Sequence, residues 1–453
     1  MTPIGRIFIA NRGEIAVRVI RTARELGLET VLGTSTVDRG SLGARLATRA
    51  VCIGPSPAQG SYLNIGAVIE AARGTGCDAI HPGYGFLSEN RALAEVCAAE
   101  SLIFIGPSPE NLAAVGDKLT ARSHAAAAGV PLVPGGNAAT LEEAQDVADQ
   151  IGYPILIKAV AGGGGKGMKR VDHPADLPTQ ISMAMAEAQA AFGDDRVYLE
   201  RFVTAGRHVE VQIISDGDTV LHAGERDCSV QRRYQKLIEE APAPGQSPAL
   251  RHGLLDAAVT YARHISYRSL GTVEFLVDVV RGSFYFLEMN ARIQVEHPVT
   301  EAITGLDLIA LQIAIAEGRP LALRQSDLAA KGHAIECRLN AEDVFADFRP
   351  SPGLVSLAWF PALPGLRVDT HITTGALVPP QYDSLVAKLI AHGTTRAEAI
   401  ATLQKALQTL TLHGITTNAP LHRAILADPV FQAGGVDTSY LAGLLPQLIK
   451  AAQ

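Results

Sequence analysis

Glu288, Asn290, Arg292, Gln294 and Glu296 recur at every second position within FLEMNARIQVEHPVTE, residues 286–301. They offer two carboxylates, two carboxamides and a guanidinium. Such a set can hold a divalent metal, grip an anion and supply a general base within one site. Side chains alternate between faces in an extended strand, so the spacing predicts that all five line one face. Polar alternation on a solvated edge strand produces the same spacing. Phe284 and Phe286 share the parity of the five, which a solvated face does not favour.

The segment TVEFLVDVV (272–280) brings a matching carboxylate. Arg281-Gly282-Ser283 reads as a tight turn, and SFYFLEMN returns. A hairpin centred near Arg281 sets Glu274 opposite Glu288, with Cβ atoms ~5 Å apart. Opposed carboxylates repel, and a divalent cation between them removes the repulsion. Magnesium favours oxygen ligands and is usually held by one or two carboxylates plus substrate phosphates. Glu274, Glu288 and Asn290 are therefore the candidate metal ligands.

The elements that position this hairpin read as three regions. RIFIA (6–10), the turn Asn11-Arg12-Gly13, a helical EIAVRVIRTARELG stopped by Gly27, and ETVLGTS form a β-turn-α-β start. CDAIHPGYGFLSEN (77–90) and SLIFIGPSPE again pair a strand with a loop, which predicts a doubly wound domain over 1–114. The β-turn-α-β start lacks GxGxxG, so a dinucleotide reading of it is weak. Residues 115–203 form the second region. Ala-rich helices over 121–129 and 141–150 are separated by the loop VPLVPGG, and the strand YPILIKA (153–159) runs into AGGGGKGMKR. Four consecutive glycines suit neither a strand nor a helix interior. They let backbone N–H groups approach phosphate, with Lys158, Lys166 and Lys169 adding charge. A flexible linker has the same composition, but strands flank this run closely on both sides. The third region, 204–447, opens with VYLERFV (197–203) leading in. A hairpin follows over 207–229, turning at Asp216-Gly217-Asp218, then the basic cluster QRRYQK and an acidic, proline-rich turn EEAPAPG.

Composition sets the frame. The 453 residues are 47% hydrophobic and 19% charged, with a net charge of -7. That balance predicts no broad attraction to nucleic acid or anionic membrane. The five cysteines are scattered without CxxC spacing, which reads as buried thiols in a reducing compartment. A strand begins by Ile7, so no leader is expected, and no apolar run approaches the ~20 residues of a membrane span. A cytoplasmic location is expected.

In order along the chain, IANRGEIAVRV (9–19), SYLNI (61–65), AIHPGYGFLSEN (79–90), FIGP (104–107), GDK (116–118), IKA with GGGGKGM (157–168), RHVEVQ (207–212), ERDCSVQRR (225–233), EEAPAPG (239–245), EMNARIQVEHPVTE (288–301) and ECRLNAED (336–343) carry a resemblance. The chain resembles the biotin carboxylases, ATP-grasp enzymes that carboxylate biotin in biotin-dependent carboxylases, from about residue 4 to about residue 445. The resemblance implies an ATP-grasp fold, mixed α/β and α+β, with an N-terminal doubly wound domain, a small lid domain and a C-terminal α+β domain.

It also implies site roles. Lys118 and Lys158 match phosphate-binding lysines, and Gly164 and Gly165 match lid glycines. Glu200, Arg201, Phe202 and Val203 match the hinge strand at the adenine. His208, Gln231 and Tyr234 match nucleotide-contacting positions. Glu274, Glu288 and Asn290 match the magnesium or manganese site. Lys236, Arg292, Gln294 and Val295 match the bicarbonate pocket. Glu296 matches the general base, Arg338 the residue that steadies biotin, and Tyr84 a tyrosine near the biotin ureido ring. The chemistry needs these types: a guanidinium grips planar bicarbonate with two hydrogen bonds, where a lysine acts as a point charge. Arg338 in isolation reads as an ion pair with Glu336 or Glu342.

The chain departs from the family at three points. Tyr234 stands where histidine is usual, Ala161 takes the first place of the glycine run, and Ala291 replaces a threonine. None removes a catalytic group, so an active enzyme is expected, as a paralogue with a specialised partner. No Ala-Met-Lys-Met motif and no carboxyltransferase-sized segment occur. Biotin is thus expected on a separate carrier protein, with separate carboxyltransferase subunits, serving acetyl-CoA or a related carboxylase. The family implies a homodimer. The alternatives are an ATP-grasp ligase for another carboxylate and a non-catalytic scaffold.

Overall fold

The computed structural model describes residues 3–159 and 168–452. Gly164, Gly165, Lys166 and Ala161 lie outside the described residues. The N-terminal region is a five-stranded parallel sheet in the order β3-β2-β1-β4-β5. Its strands are β1 (Arg6–Ile9), β2 (Glu29–Ser35), β3 (Arg49–Gly54), β4 (Ala79–His81) and β5 (Ile103–Phe104). The helix Gly13–Glu25 buries Ile15, Ala16, Val19, Ile20 and Ala23, the stripe that helical period predicts. Gly27, at φ +74°, ends it in a backbone conformation that side chains rarely adopt. The strand order reverses between β1 and β4, the switch point where open α/β sheets place ligands. Asn11 stitches that point: its Nδ2 donates to the carbonyls of Pro82 and Tyr84, each at 2.7 Å.

The second region is a four-stranded antiparallel sheet, β6 (Gly135–Ala138), β9 (Val197–Arg201), β7 (Ile155–Ala159) and β8 (Lys169–Val171) in that order. Helices Leu141–Ile151 and Leu177–Phe192 cover it with Ala144, Ala148 and Ile181 against Ile155, Ile157 and Leu199. The segment read as the loop VPLVPGG therefore ends in a strand. Gly135 and Gly136 are needed there, because an added Cβ would meet Leu199 O at 2.3 Å or Val147 Cγ2 at 2.9 Å.

The third region is built on one eight-stranded antiparallel sheet. Its order is β14 (Ser283–Asn290), β13 (Arg268–Asp278), β10 (Gly206–Asp216), β11 (Val220–Arg232), β12 (Gln235–Ala241), β15 (His333–Asn340), then strands Leu385–Gly393 and Leu366–Thr370. One face is apolar. Val209, Val211, Val273, Phe275 and Phe286 pack under helix Pro248–His264. Ile335, Cys337 and Leu389 pack against Leu403 and Leu407 of helix Arg396–Thr409. The opposite face carries charge.

Two bulges set which residues face which side. Glu274 pairs with Glu288, as the hairpin reading expects, but Phe275 pairs with Phe286, leaving Leu287 extra. The bulge moves Phe284 and Phe286 to the core face, away from Glu288. A second bulge at Leu237 separates the pairs Gln231–Lys236 and Val230–Ile238. Lys236 and Glu239 thereby share a face that simple alternation would deny them. Glu239 and Glu240 lie within β12, not in the turn read at EEAPAPG.

All five cysteines are free, and all but the half-buried Cys52 are buried. No single helix among the described residues is long and apolar enough to cross a membrane. Phe286 is fully buried, with Tyr261 and Phe275 rings 4.7 and 6.5 Å away. Phe286→Ala should cost about 3–5 kcal/mol in chemical denaturation, through lost transfer energy and a cavity under the hairpin.

Candidate active site

Four charged residues cross the polar face in one row. Arg226 on β11 opposes Glu210 on β10, Glu210 opposes Glu274 on β13, and Glu274 opposes Glu288 on β14. Three carboxylates in line repel unless cations intervene. Arg226, fully buried, donates from Nε to Glu210 Oε1 at 2.6 Å, and from Nη1 to Gln212 Oε1 and Thr300 Oγ1. Lys236 Nζ sits above the row, 2.6 Å from Glu210 Oε2, 2.9 Å from Glu274 Oε1 and 2.7 Å from Glu296 Oε1. Burial disfavours the ammonium charge, yet these three carboxylates outweigh it and raise the Lys236 pKa well above its ordinary value. The cluster thus keeps a permanent cation at its centre.

The acids respond in turn. Burial would raise Glu296, but Lys236, Arg338 and Arg226 hold it well below the ordinary glutamate range. Burial would also raise Glu274, but Lys236 and His208 depress it. His208 Nε2 lies 2.9 Å from Glu274 Oε2. Burial opposes charge on that imidazole, but Glu274 prevails and its pKa is raised. Glu288 goes the other way: burial and the neighbouring Glu274 charge raise it.

The expected strand face does not extend through Glu296. β14 ends at Asn290, Arg292 and Gln294 lie in an irregular segment, and Glu296 precedes helix His297–Thr304. Convergence is achieved by hydrogen bonds instead. Arg292 Nη2 donates to Asn290 Oδ1 and Nη1 to Gln294 Oε1, each at 2.9 Å. Asn290 Nδ2 and Gln294 Nε2 both donate to Glu274 Oε1. Glu89, from the loop after β4, accepts from Arg292 Nε at 3.0 Å and from the Ala291 N–H at 2.9 Å. Val295 is held by its carbonyl, which accepts from the buried Lys388 Nζ at 2.8 Å. Arg338 Nη2 donates to Glu296 Oε2 at 2.8 Å, and Nε lies 2.5 Å from Glu239 Oε1. The pairing of Arg338 with Glu336 or Glu342 does not form; Glu342 instead accepts from Ser384 Oγ.

Other expected residues are spread around this centre. Lys118 Nζ is exposed, 3.9 Å from Glu288 Oε2. Between them opens a cavity of about 230 Å³, lined by Glu89, Val115, Gly116, Lys118, Glu288 and Asn290 among others. Lys158 pairs with Glu200 across β7 and β9. Arg201 Nε donates to the Ile151 carbonyl, the Phe202 N–H donates to Pro154 O, and Val203 follows at the strand end. Gln231 opposes Lys236, while Tyr234 sits at the exposed tip of the β11–β12 turn with φ +68° and 74% exposure. Tyr84 Oη donates to Glu14 Oε1, and Glu14 also pairs with Lys388 at 3.1 Å. The first region is thereby tied to the central sheet.

Glu210, Arg226, Glu89 and Lys388 were not singled out in the sequence. Glu210 had a readable signal, since His208, Glu210 and Gln212 alternate with Val209 and Val211 as the 288–296 residues do. Lys388 had none, because it stands alone among apolar neighbours in LVAKLIAHG with no partner nearby in sequence.

A parallel domain, a small two-layer lid and a broad antiparallel sheet bearing paired carboxylates define an ATP-grasp ligase. The middle of the chain, residues 117–324, matches the carbamoyl-phosphate synthase L chain ATP-binding domain. Residues 3–112 match the biotin carboxylase N-terminal domain and 336–443 its C-terminal domain. The biotin carboxylase of Nostoc sp. is 50% identical over 439 residues, 96% of this chain and 98% of that one. The crystal structure of a Campylobacter jejuni biotin carboxylase–β-γ-ATP complex superposes with TM-score 0.90 at 44% identity, covering 97% and 99% of the two chains. The biotin carboxylase domain dimer of Hydrogenobacter thermophilus 2-oxoglutarate carboxylase, solved with MgADP, ADP and bicarbonate, gives 0.89 at 40%, covering 99% of each. The chain belongs to the biotin carboxylase family, and it is an ATP-dependent ligase that carboxylates biotin.

Arg226→Met should destabilise the protein by about 3–5 kcal/mol, because it removes one of the two cations on buried Glu210 and leaves Lys236 shared among three carboxylates. Burial and Glu296 already raise the Glu210 pKa in the folded state. Its charged form therefore costs most above that raised value. The deficit should shrink as pH falls towards the ordinary 4.5, measured by chemical denaturation across that range.

Proposed function

We propose that residues 1–114 frame the site, 115–203 form linker and lid, and 204–447 form the catalytic body. We also propose that the cluster around Lys236 binds bicarbonate and activates it towards the γ-phosphate of ATP. The observation that carries this reading is the Lys236–Glu296–Arg338 chain of contacts beside the Arg292–Gln294 pair. Lys236, Arg292, Gln294 and the backbone at Val295 are the bicarbonate donors. Glu296 accepts the bicarbonate proton as its oxygen attacks phosphorus. In the resting arrangement Glu296 is a weak base, because Lys236 and Arg338 each hold one of its oxygens. An anion that draws Lys236 towards itself strengthens the base as the substrate arrives.

The magnesium donors Glu274, Glu288 and Asn290 fit a divalent cation: burial and then the neighbouring Glu274 charge raise Glu288, and a cation relieves the repulsion between the two carboxylates. When bound, the ion neutralises charge on the phosphates. Lys118, Lys158, His208, Gln231, Tyr234 and the glycines 164 and 165 serve the nucleotide, with Glu200, Arg201, Phe202 and Val203 at the adenine. Lys158 must leave Glu200 to reach phosphate, which frees Glu200 to accept from the adenine amino group. The product carboxyphosphate is unstable in water, and a closing lid protects it. It releases CO2 beside biotin, where Arg338 stabilises the developing ureido oxyanion and Tyr84 borders the ring.

The partners proposed are a biotin carrier protein, carboxyltransferase subunits and a second copy of this chain; the proposed location is the cytoplasm. The dimeric H. thermophilus relative supports the second copy. The test is bicarbonate-dependent ATP hydrolysis by the purified protein. Hydrolysis should require bicarbonate and magnesium and rise with free biotin, and Glu296→Gln should slow it by about 10²- to 10⁴-fold. Hydrolysis indifferent to bicarbonate would sink the reading.

A further inference from the structure

Behind Arg338 lies a second carboxylate pair that the reaction as described does not use. Glu239 on β12 is directly opposed to Glu336 on β15, and both are fully buried. None of their four carboxylate oxygens has a hydrogen-bond partner among the described residues. Two opposed buried carboxylates cannot both ionise without a cation for each. Three cations are near, and Lys236 Nζ is already committed to Glu210, Glu274 and Glu296. Lys388 Nζ is already committed to Glu14 and to the Val295 carbonyl. Arg338 Nη2 is committed to Glu296. The Nε edge of Arg338 is the part that faces the pair, and it lies 2.5 Å from Glu239 Oε1, at an angle that makes it an ion pair and not a hydrogen bond.

We propose that Glu239 and Glu336 share one proton, held on Glu336, and that ionised Glu239 is a positioning residue that locks Arg338. Glu296 fixes Nη2 and Glu239 fixes the Nε edge. Nη1 makes no hydrogen bond among the described residues and is the donor left for the substrate.

The surroundings agree with this division. Glu239 faces Arg338 and Glu336 from β15, Lys236 from its own strand, Glu210 from β10, Cys228 from β11 and Glu296 from the start of helix His297–Thr304. Glu336 additionally faces Lys388 from strand Leu385–Gly393, and Cys337 beside it is a buried neutral thiol. Burial raises Glu239, Arg338 opposes and Glu296 reinforces, leaving its pKa at about 7. Burial raises Glu336 well above the ordinary range, with Lys388 opposing and Glu239 adding to the shift. Glu239 is the group that loses its charge as pH falls through neutrality, and with it the grip on Arg338.

This inference rests on the assignment of Arg338 to biotin, and the experiment separates the two. Steady-state kinetics of biotin carboxylation with free biotin, from pH 6 to 9, are measured on the full chain and its Glu239→Gln, Glu336→Gln and Arg338→Ala variants. Glu239→Gln should lower kcat/KM for biotin on the order of 10- to 100-fold, as expected when a catalytic donor shifts by about 1 Å. It should also abolish an acid limb near pH 7, while KM for ATP changes at least tenfold less. Glu336→Gln imitates the protonated acid and should keep that limb. Wild-type biotin kinetics and an unchanged limb in Glu239→Gln would overturn the proposal, provided Arg338→Ala has lost biotin carboxylation. If Arg338→Ala keeps normal biotin kinetics, the assignment of Arg338 is itself wrong. Should a variant fail to fold, infrared spectroscopy of the wild type decides. A protonated buried carboxyl band that Glu336→Gln removes supports the shared proton, and absence of any such band at neutral pH overturns it.

Discussion

A lysine ammonium enclosed by three carboxylates is the constraint around which the central sheet is arranged. Lys236 reaches Glu210, Glu274 and Glu296, which arise from three separate elements. Each of the four groups would be intolerable alone in the interior, and each is tolerable because the others are present. The arrangement requires β10, β13 and the start of helix His297–Thr304 to hold their places to within a hydrogen-bond length. Arg226 then compensates the charge on Glu210 from the far side of the row, and His208 and Asn290 do so for Glu274. The apolar underside of the sheet supplies the rigidity that keeps these distances fixed. Every cation at the centre is already paired with a carboxylate, so an incoming anion must compete for one that is well spent.

The N-terminal sheet contributes through a narrow seam. Its switch point presents Tyr84 and Glu14, and Glu14 meets Lys388 in the interior of the central sheet. Lys388 in turn fixes the carbonyl of Val295, one residue before Glu296. Glu89, from the same N-terminal loop, orients Arg292. Two regions distant in sequence therefore define one side of the anion pocket, and the short stretch 291–296 stays ordered without belonging to helix or strand.

Much of this was legible in the chain. The β-turn-α-β opening, the hairpin turning at Asp216-Gly217-Asp218 and the opposition of Glu274 to Glu288 follow from local pattern, and all are found. The full set of motifs named the family. Three things were not legible. The continuation of β14 through Glu296 was expected from parity alone, but parity cannot see where a strand loses its partner. The bulge at Leu287 was hidden because nothing local marks it: leucine suits either face. Lys388 was hidden for a related reason, since a lysine within an apolar strand is intelligible only when Glu14, more than 370 positions earlier, is brought beside it. Glu210 was overlooked although its alternation with valine was as plain as that of the residues around Asn290.

The bulges at Leu237 and Leu287 carry a consequence for how such a chain can change over time. Each adds one unpaired residue to a strand and so resets the phase of everything beyond it. Lys236 and Glu239 look the same way only because Leu237 stands between their pairings, and Glu288 looks away from Phe286 only because of Leu287. Leu237 also fills the core and Leu287 is only partly buried, but at both places it is the existence of the extra residue that sets the phase. A lineage is bound here by arithmetic, since losing a single codon at either place would turn the chemistry inward and the core outward.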